Sequence, residues 1–124
     1  MRFIFLIVGI WNTIGALNFI VFPKFMASQY GYQMGNMWES AFIGGIAIVF
    51  ALIYFSFFKK EPPKDMLYLV YLFAFGKFWV FISNVYCVIY YKMPVSFAIV
   101  LGGGDLIMGM LFVIYIIMAK KKYA

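Results

Sequence analysis

"VSFAIVLGGGDLIMGMLFVIYIIMA" (Val95–Ala119) holds 25 residues and a single charge, Asp105. A lipid hydrocarbon core needs about 20 predominantly apolar residues in a helix to cross it. This stretch is long enough, and Lys92 and Lys120 stand just outside its ends. Backbone groups have no water to pair with inside lipid, so a spanning segment of this kind is a helix. Three more runs read the same way, giving spans of about 3–22, 37–58, 66–91 and 95–119. The expectation is an all-α integral membrane four-helix bundle forming a single membrane domain over residues 1–124.

Composition agrees with that reading. The 124 residues are 67% hydrophobic and 11% charged, with mean hydropathy +0.99. Soluble domains carry about 25% charged residues, so this chain lacks the polar surface that water requires. The first run is taken as a span and not a cleaved leader. It exceeds the roughly 7–15 apolar residues of a leader core, and Phe25 is bulky where cleavage wants a small residue.

Ten basic and four acidic residues give a net charge of +6. The basic residues cluster at the ends of apolar runs, which marks topology and not nucleic-acid binding. Arg2, Lys59, Lys60, Lys64, Lys120, Lys121 and Lys122 fall on one side, and Lys24 and Lys92 on the other. That bias puts the N- and C-termini and the Lys59–Asp65 turn, broken by Pro62-Pro63, in the cytoplasm. The implied location is the cell inner (cytoplasmic) membrane, multi-pass. The Pro23–Asn36 joint then lies outside, where Tyr30, Tyr32 and Trp38 suit the interface as anchors.

Several chemistries lack their residues. There is no His and only one cysteine, Cys87, which removes the commonest general base, zinc sites and internal disulfides. "GGGD" lies mid-span without a following Lys-Ser/Thr, so it is no phosphate loop. No metal site and no catalytic residue is expected.

What remains are polar groups placed where lipid should be. Lys77 and Asp105 each cost several kcal/mol at mid-membrane unless paired or wetted. By helix rise they lie at roughly 16 and 21 Å from the cytoplasmic face, a gap the lysine stem can span. Asn12, with Thr13 beside it, falls at a similar depth. Asn18, Glu39, Ser40, Ser83 and Asn84 form a second layer nearer the outer face. Ala98, Gly102, Asp105, Gly109 and Phe112 recur at helical spacing as one mostly small stripe, and Ser40, Gly44, Ala47 and Ala51 form another. Small stripes let membrane helices approach closely. Gly44, Gly102, Gly103, Gly104 and Gly109 are therefore the expected packing positions. Lys77, Asp105, Asn12, Thr13, Asn84, Asn18 and Glu39 are the candidate ligand or proton site. A purely structural Lys77–Asp105 bridge is the bland alternative. "GGIAIVFALIY" (Gly44–Tyr54) also echoes "GGDLIMGMLFVIY" (Gly103–Tyr115), with two residues inserted.

The pattern resembles the DoxX-like group of small bacterial four-helix membrane proteins. The residues that carry the resemblance are "GIWNTIGALNFIVFP" (Gly9–Pro23), Gly76-Lys77 in span three and Gly104-Asp105 in span four. The resemblance implies a four-span fold and, for some members, a membrane subunit linked to quinone or sulfur-compound oxidation. Those members carry more basic residues before span one, where this chain has Arg2. The functional expectation is a small membrane protein that binds an apolar or amphipathic ligand, or partner helices, around the Lys–Asp cluster. The alternatives are a proton-coupled transporter acting as a dimer and a quinone-linked oxidoreductase subunit, with a quinone as the one candidate cofactor. The expected partners are the lipid bilayer and a homo-oligomer or larger membrane complex, with no nucleic acid.

Overall fold

A computed structural model describes residues 1–29 and 37–123, apart from the side chains at 27, 29, 37–39 and 91. Tyr30 and Tyr32, and the side chains of Trp38 and Glu39, lie outside that description. The described residues form helices α1 (Phe3–Val21), α2 (Pro23–Gln29), α3 (Met37–Lys59), α4 (Leu67–Tyr91) and α5 (Val95–Tyr123). A single 3-10 turn, Lys64–Met66, precedes α4. Four of these segments are long and apolar enough to cross a membrane: Phe3–Val21, Ser40–Lys59, Lys64–Tyr90 and Val95–Tyr123. The all-helical, membrane-spanning reading therefore holds among the described residues. The chain divides into two compact units at Lys60–Glu61, each built on one antiparallel helical hairpin.

The first hairpin pairs α1 with α3. From one end to the other the contacts run Phe5 to Phe57, Gly9 to Phe55, Asn12 to Ala47, Ala16 to Gly44 and Phe19 to Ser40. In lipid, apolar helices gain little by leaving one another's neighbourhood for acyl chains, so close packing at small residues decides the pairing. Gly44 shows this: a Cβ there would lie 3.0 Å from the Ala16 carbonyl oxygen and 2.6 Å from Ile20.

One element differs from the sequence reading. The Pro23–Asn36 joint is not loop throughout, because Pro23–Gln29 is a short helix. Phe22 leaves the helical region, its N–H bonded back to Asn18, and Pro23 begins the next helix. Proline suits a first helical position because it needs no N–H partner and its φ is already helical. Met26, 3% exposed, then buries the face of that turn.

The second hairpin pairs α4 with α5. Phe73 meets Phe112 with ring centres 5.7 Å apart, Lys77 meets Asp105, Phe78 meets Gly109, and Asn84 meets Gly102. The turn between them is tight. Lys92 takes a left-handed conformation at φ 55°, the Met93 N–H bonds to Cys87 O, and Pro94 prevents the helix from continuing. At the far end Tyr123 donates to the Pro62 carbonyl at 3.0 Å, and Lys120 stands over the Tyr71 ring. α5 runs four residues beyond the apolar stretch, to Tyr123. Lysines 120–122 are good helix formers and sit favourably at the negative end of the helix dipole.

Candidate functional site

Lys77 is the eleventh residue of α4 and Asp105 the eleventh of α5, both well inside their apolar segments. Their side chains meet across the hairpin, Nζ donating to Oδ1 at 3.0 Å, with 8% and 9% of each side chain exposed. Helical spacing explains the meeting. Val70, Phe73, Ala74, Lys77 and Asn84 form the buried face of α4, and Gly102, Asp105, Gly109 and Phe112 that of α5. A lone charge at this depth costs about 2.5–3.5 kcal/mol on insertion scales. Pairing compensates each charge with the other and makes the hydrogen bond a charge-assisted one.

The first hairpin provides an internal reference. Asn12 precedes Lys77 by 65 residues and Ala47 precedes Asp105 by 58. With those offsets most of the buried and half-buried inner positions correspond. Phe5, Val8, Gly9, Asn12 and Phe19 fall on Val70, Phe73, Ala74, Lys77 and Asn84; Ser40, Gly44, Ala47, Ala51 and Tyr54 fall on Ala98, Gly102, Asp105, Gly109 and Phe112. The register needs no gap and pairs Gly44 with Gly102. This register differs from the sequence echo, which aligned Gly44 with Gly103 and needed an insertion. At the place of the ion pair, the first hairpin has a neutral tie: Asn12 Nδ2 donates to the Ala47 carbonyl at 3.0 Å. Two helices of this chain thus pack through the corresponding positions without a charge.

The remaining polar candidates divide by how they are satisfied. Thr13 donates to Gly9 O at 2.8 Å, Asn18 to Ile14 O at 2.9 Å and Ser83 to Trp79 O at 2.8 Å, each on its own helix. Such back-bonding hides a polar group without calling on a neighbour. Ser40 reaches across to the Phe19 carbonyl. Asn84 donates through Nδ2 to Val80 O at 2.8 Å and is 3% exposed, while its Oδ1 is buried with no hydrogen-bond partner among the described residues. The structure therefore brings Lys77, Asp105 and Asn84 together on the inner face of the second hairpin, and Asn12 onto that of the first. Thr13 sits beside Asn12 in α1, and Asn18 is exposed and turned back on its own backbone.

Among the packing glycines, Gly44, Gly102 and Gly109 are close-approach positions, each with a neighbour at 3.1 Å or less from a built Cβ. A Cβ on Gly103 would meet nothing within 4 Å, whereas one on Gly9, which the small-residue stripes did not single out, would stand 2.6 Å from the Phe55 ring. The clue to Gly9 was its spacing of seven from Ala16, two turns along one face of α1. Among the described residues no three His, Cys, Asp or Glu side chains come together as a metal site. No family model, curated protein or solved structure matches the chain.

Proposed function

We propose that this is a multi-pass membrane protein that binds an amphipathic ligand, or the helices of a partner, at the Lys77–Asp105 pair. The observation that carries the reading is the contrast between the hairpins. A neutral amide-to-carbonyl bond ties the first hairpin at the positions that correspond in sequence register to the two buried charges of the second. Buried ion pairs are poor devices for stability, since apolar residues of similar volume commonly do as well or better. Packing alone therefore gives little reason for the charges, whereas recognition of a polar group inside lipid needs them. The finer assignments go with this reading: the cytoplasmic membrane, termini on the cytoplasmic face, and membership of the DoxX-like group.

The test compares the wild type with a Lys77→Met/Asp105→Leu double variant. Both are purified in the same detergent, checked for helicity by circular dichroism, and extracted with organic solvent for mass spectrometry. The wild type should carry an amphiphile at near one-to-one ratio that the folded double variant lacks. Identical extracts from two folded proteins would rule the reading out.

A second reading, a proton-coupled small-molecule transporter acting as a dimer, draws on the carboxylate within a span. In that case Asp105→Asn stops pH-driven uptake by the fraction of protein that still folds and reconstitutes into proteoliposomes. Uptake that survives the substitution excludes it.

A further inference from the structure

We propose that Asn84 Oδ1 is the acceptor of a subsite that takes a hydroxyl donor from a membrane-soluble amphiphile. The inference rests on the ligand-binding reading above and specifies the polar chemistry of the ligand.

Asn84 is 97% buried by its 3% exposure, and only half of its amide is used. Nδ2 donates to Val80 O, and Oδ1 has no partner among the described residues. A buried carbonyl left unpaired forfeits its hydration with nothing in return, so native structures rarely keep one without a reason. The first hairpin shows what is missing. There Ser40 supplies a hydroxyl from the second helix to the backbone carbonyl of Phe19 on the first. In the shared register Phe19 corresponds to Asn84 and Ser40 to Ala98, which has no donor. At the corresponding positions the second hairpin has a side-chain acceptor on α4 and no hydroxyl on α5.

Gly102 adds a second, independent feature. A Cβ on Gly102 would stand 3.1 Å from Asn84 Cβ and 3.5 Å from Cγ. An alanine there would press Asn84 Cβ back by a few tenths of an ångström, while the amide itself, with Nδ2 at 3.7 Å, is in ordinary contact, so the glycine lets Asn84 seat closely against α5. Asn84 lies on the same face of α4 as Lys77, two turns or roughly 10 Å along the helix.

The donor belongs to an amphiphile and not to water. A buried water needs two to four polar partners. Among the described residues the other buried side-chain oxygen without a partner is on Glu61, outside α4 and α5. A ligand hydroxyl needs one acceptor, and the rest of such a ligand is as apolar as the surrounding helices.

The experiment uses the full-length protein in detergent, followed by its tryptophan fluorescence on heating. The probe is 1-tetradecanol, with methyl tetradecyl ether as a chain of matching apolar length that has no donor. The alcohol should raise the melting temperature in a saturable way and the ether should not. With the amide carbons of asparagine ¹³C-labelled, the alcohol should also shift one asparagine carbonyl band to lower frequency. Asn84→Leu should remove both responses. Gly102→Ala, which retains the amide and presses Asn84 Cβ back, should weaken the alcohol's apparent affinity at least tenfold with helicity unchanged. Equal responses to alcohol and ether, or responses that persist in both variants, would overturn the proposal. So would a carbonyl band that already stands at the hydrogen-bonded frequency in the ligand-free protein and ignores the alcohol, which identifies a donor already in place. The Lys77→Met/Asp105→Leu variant separates the two readings. An alcohol response kept there and lost in Asn84→Leu leaves the subsite standing and removes the ion pair from ligand binding. The reverse pattern removes the subsite alone.

Discussion

At Lys77 and Asp105 one 3.0 Å contact holds opposite charges with little access to solvent. Removing either partner leaves the other unbalanced, and that loss is much larger than the worth of the bond. Asp105→Leu and Lys77→Met, made singly, should each destabilise the protein by about 3–5 kcal/mol. Made together they should restore most of the loss, because no uncompensated charge remains. Asn12→Leu gives the neutral comparison. Interhelical hydrogen bonds in membranes average about 0.6 kcal/mol, with a maximum near 1.7, so this variant should lose far less than either single charge change. Equilibrium unfolding in mixed micelles measures all four. A double variant as unstable as the sum of the singles would show that the pair's partners extend beyond each other.

At the scale of the helices, the contact glycines set how close two spans can come. Gly44→Ala places a methyl 3.0 Å from a backbone oxygen, which cannot swing away as a side chain can. It should lower the melting temperature and weaken proximity-dependent cross-linking between α1 and α3. Gly103→Ala meets nothing within 4 Å and should be neutral or gain up to about 1 kcal/mol from helix propensity. Equal losses from the two would mean that helix propensity, and not contact, governs these positions. The same pair shows what the sequence could reveal. Apolar run length gave the four spans to within a few residues, because lipid thickness dictates it. The 3.6-residue period gave the buried face of α5 and so the meeting of Asp105 with Lys77. Gly103 is expected to pack only through its place in Gly102-Gly103-Gly104, and the period itself sets it off the Asp105 face. Period also does not say which point on a face meets which residue opposite, which hides the Gly9–Phe55 contact. The helix at Pro23–Gln29 was hidden for another reason. Its proline closes one helix and opens the next, and a seven-residue segment is too short for periodicity to register. Asn84 was legible as a buried polar residue, but a missing hydrogen-bond partner is a property of three-dimensional neighbours that no spacing encodes.

For the molecule as a whole, each hairpin has one strongly basic end and one nearly neutral end. In the first, Arg2 stacks over the Phe58 ring beside Lys59 and Lys60, and the opposite end has Lys24 alone. In the second, Lys64 and lysines 120–122 gather where Tyr123 ties back to Pro62, and the opposite turn has Lys92 alone. All nine of these basic residues are exposed, so none is diverted into a buried pair that would mask it from the insertion machinery. Positive residues are retained on the cytoplasmic side, so the basic ends should both face the cytoplasm. Single cysteines at Lys64, Lys92 and Lys121 in a Cys87→Ser background test this with a membrane-impermeant maleimide. In intact cells position 92 should label, while 64 and 121 should label only after permeabilisation. Labelling of 64 or 121 in intact cells would invert the topology. It would also reverse the depth order within the second hairpin. Asn84 would then lie on the cytoplasmic side of the ion pair, and its amphiphile would enter from the inner leaflet.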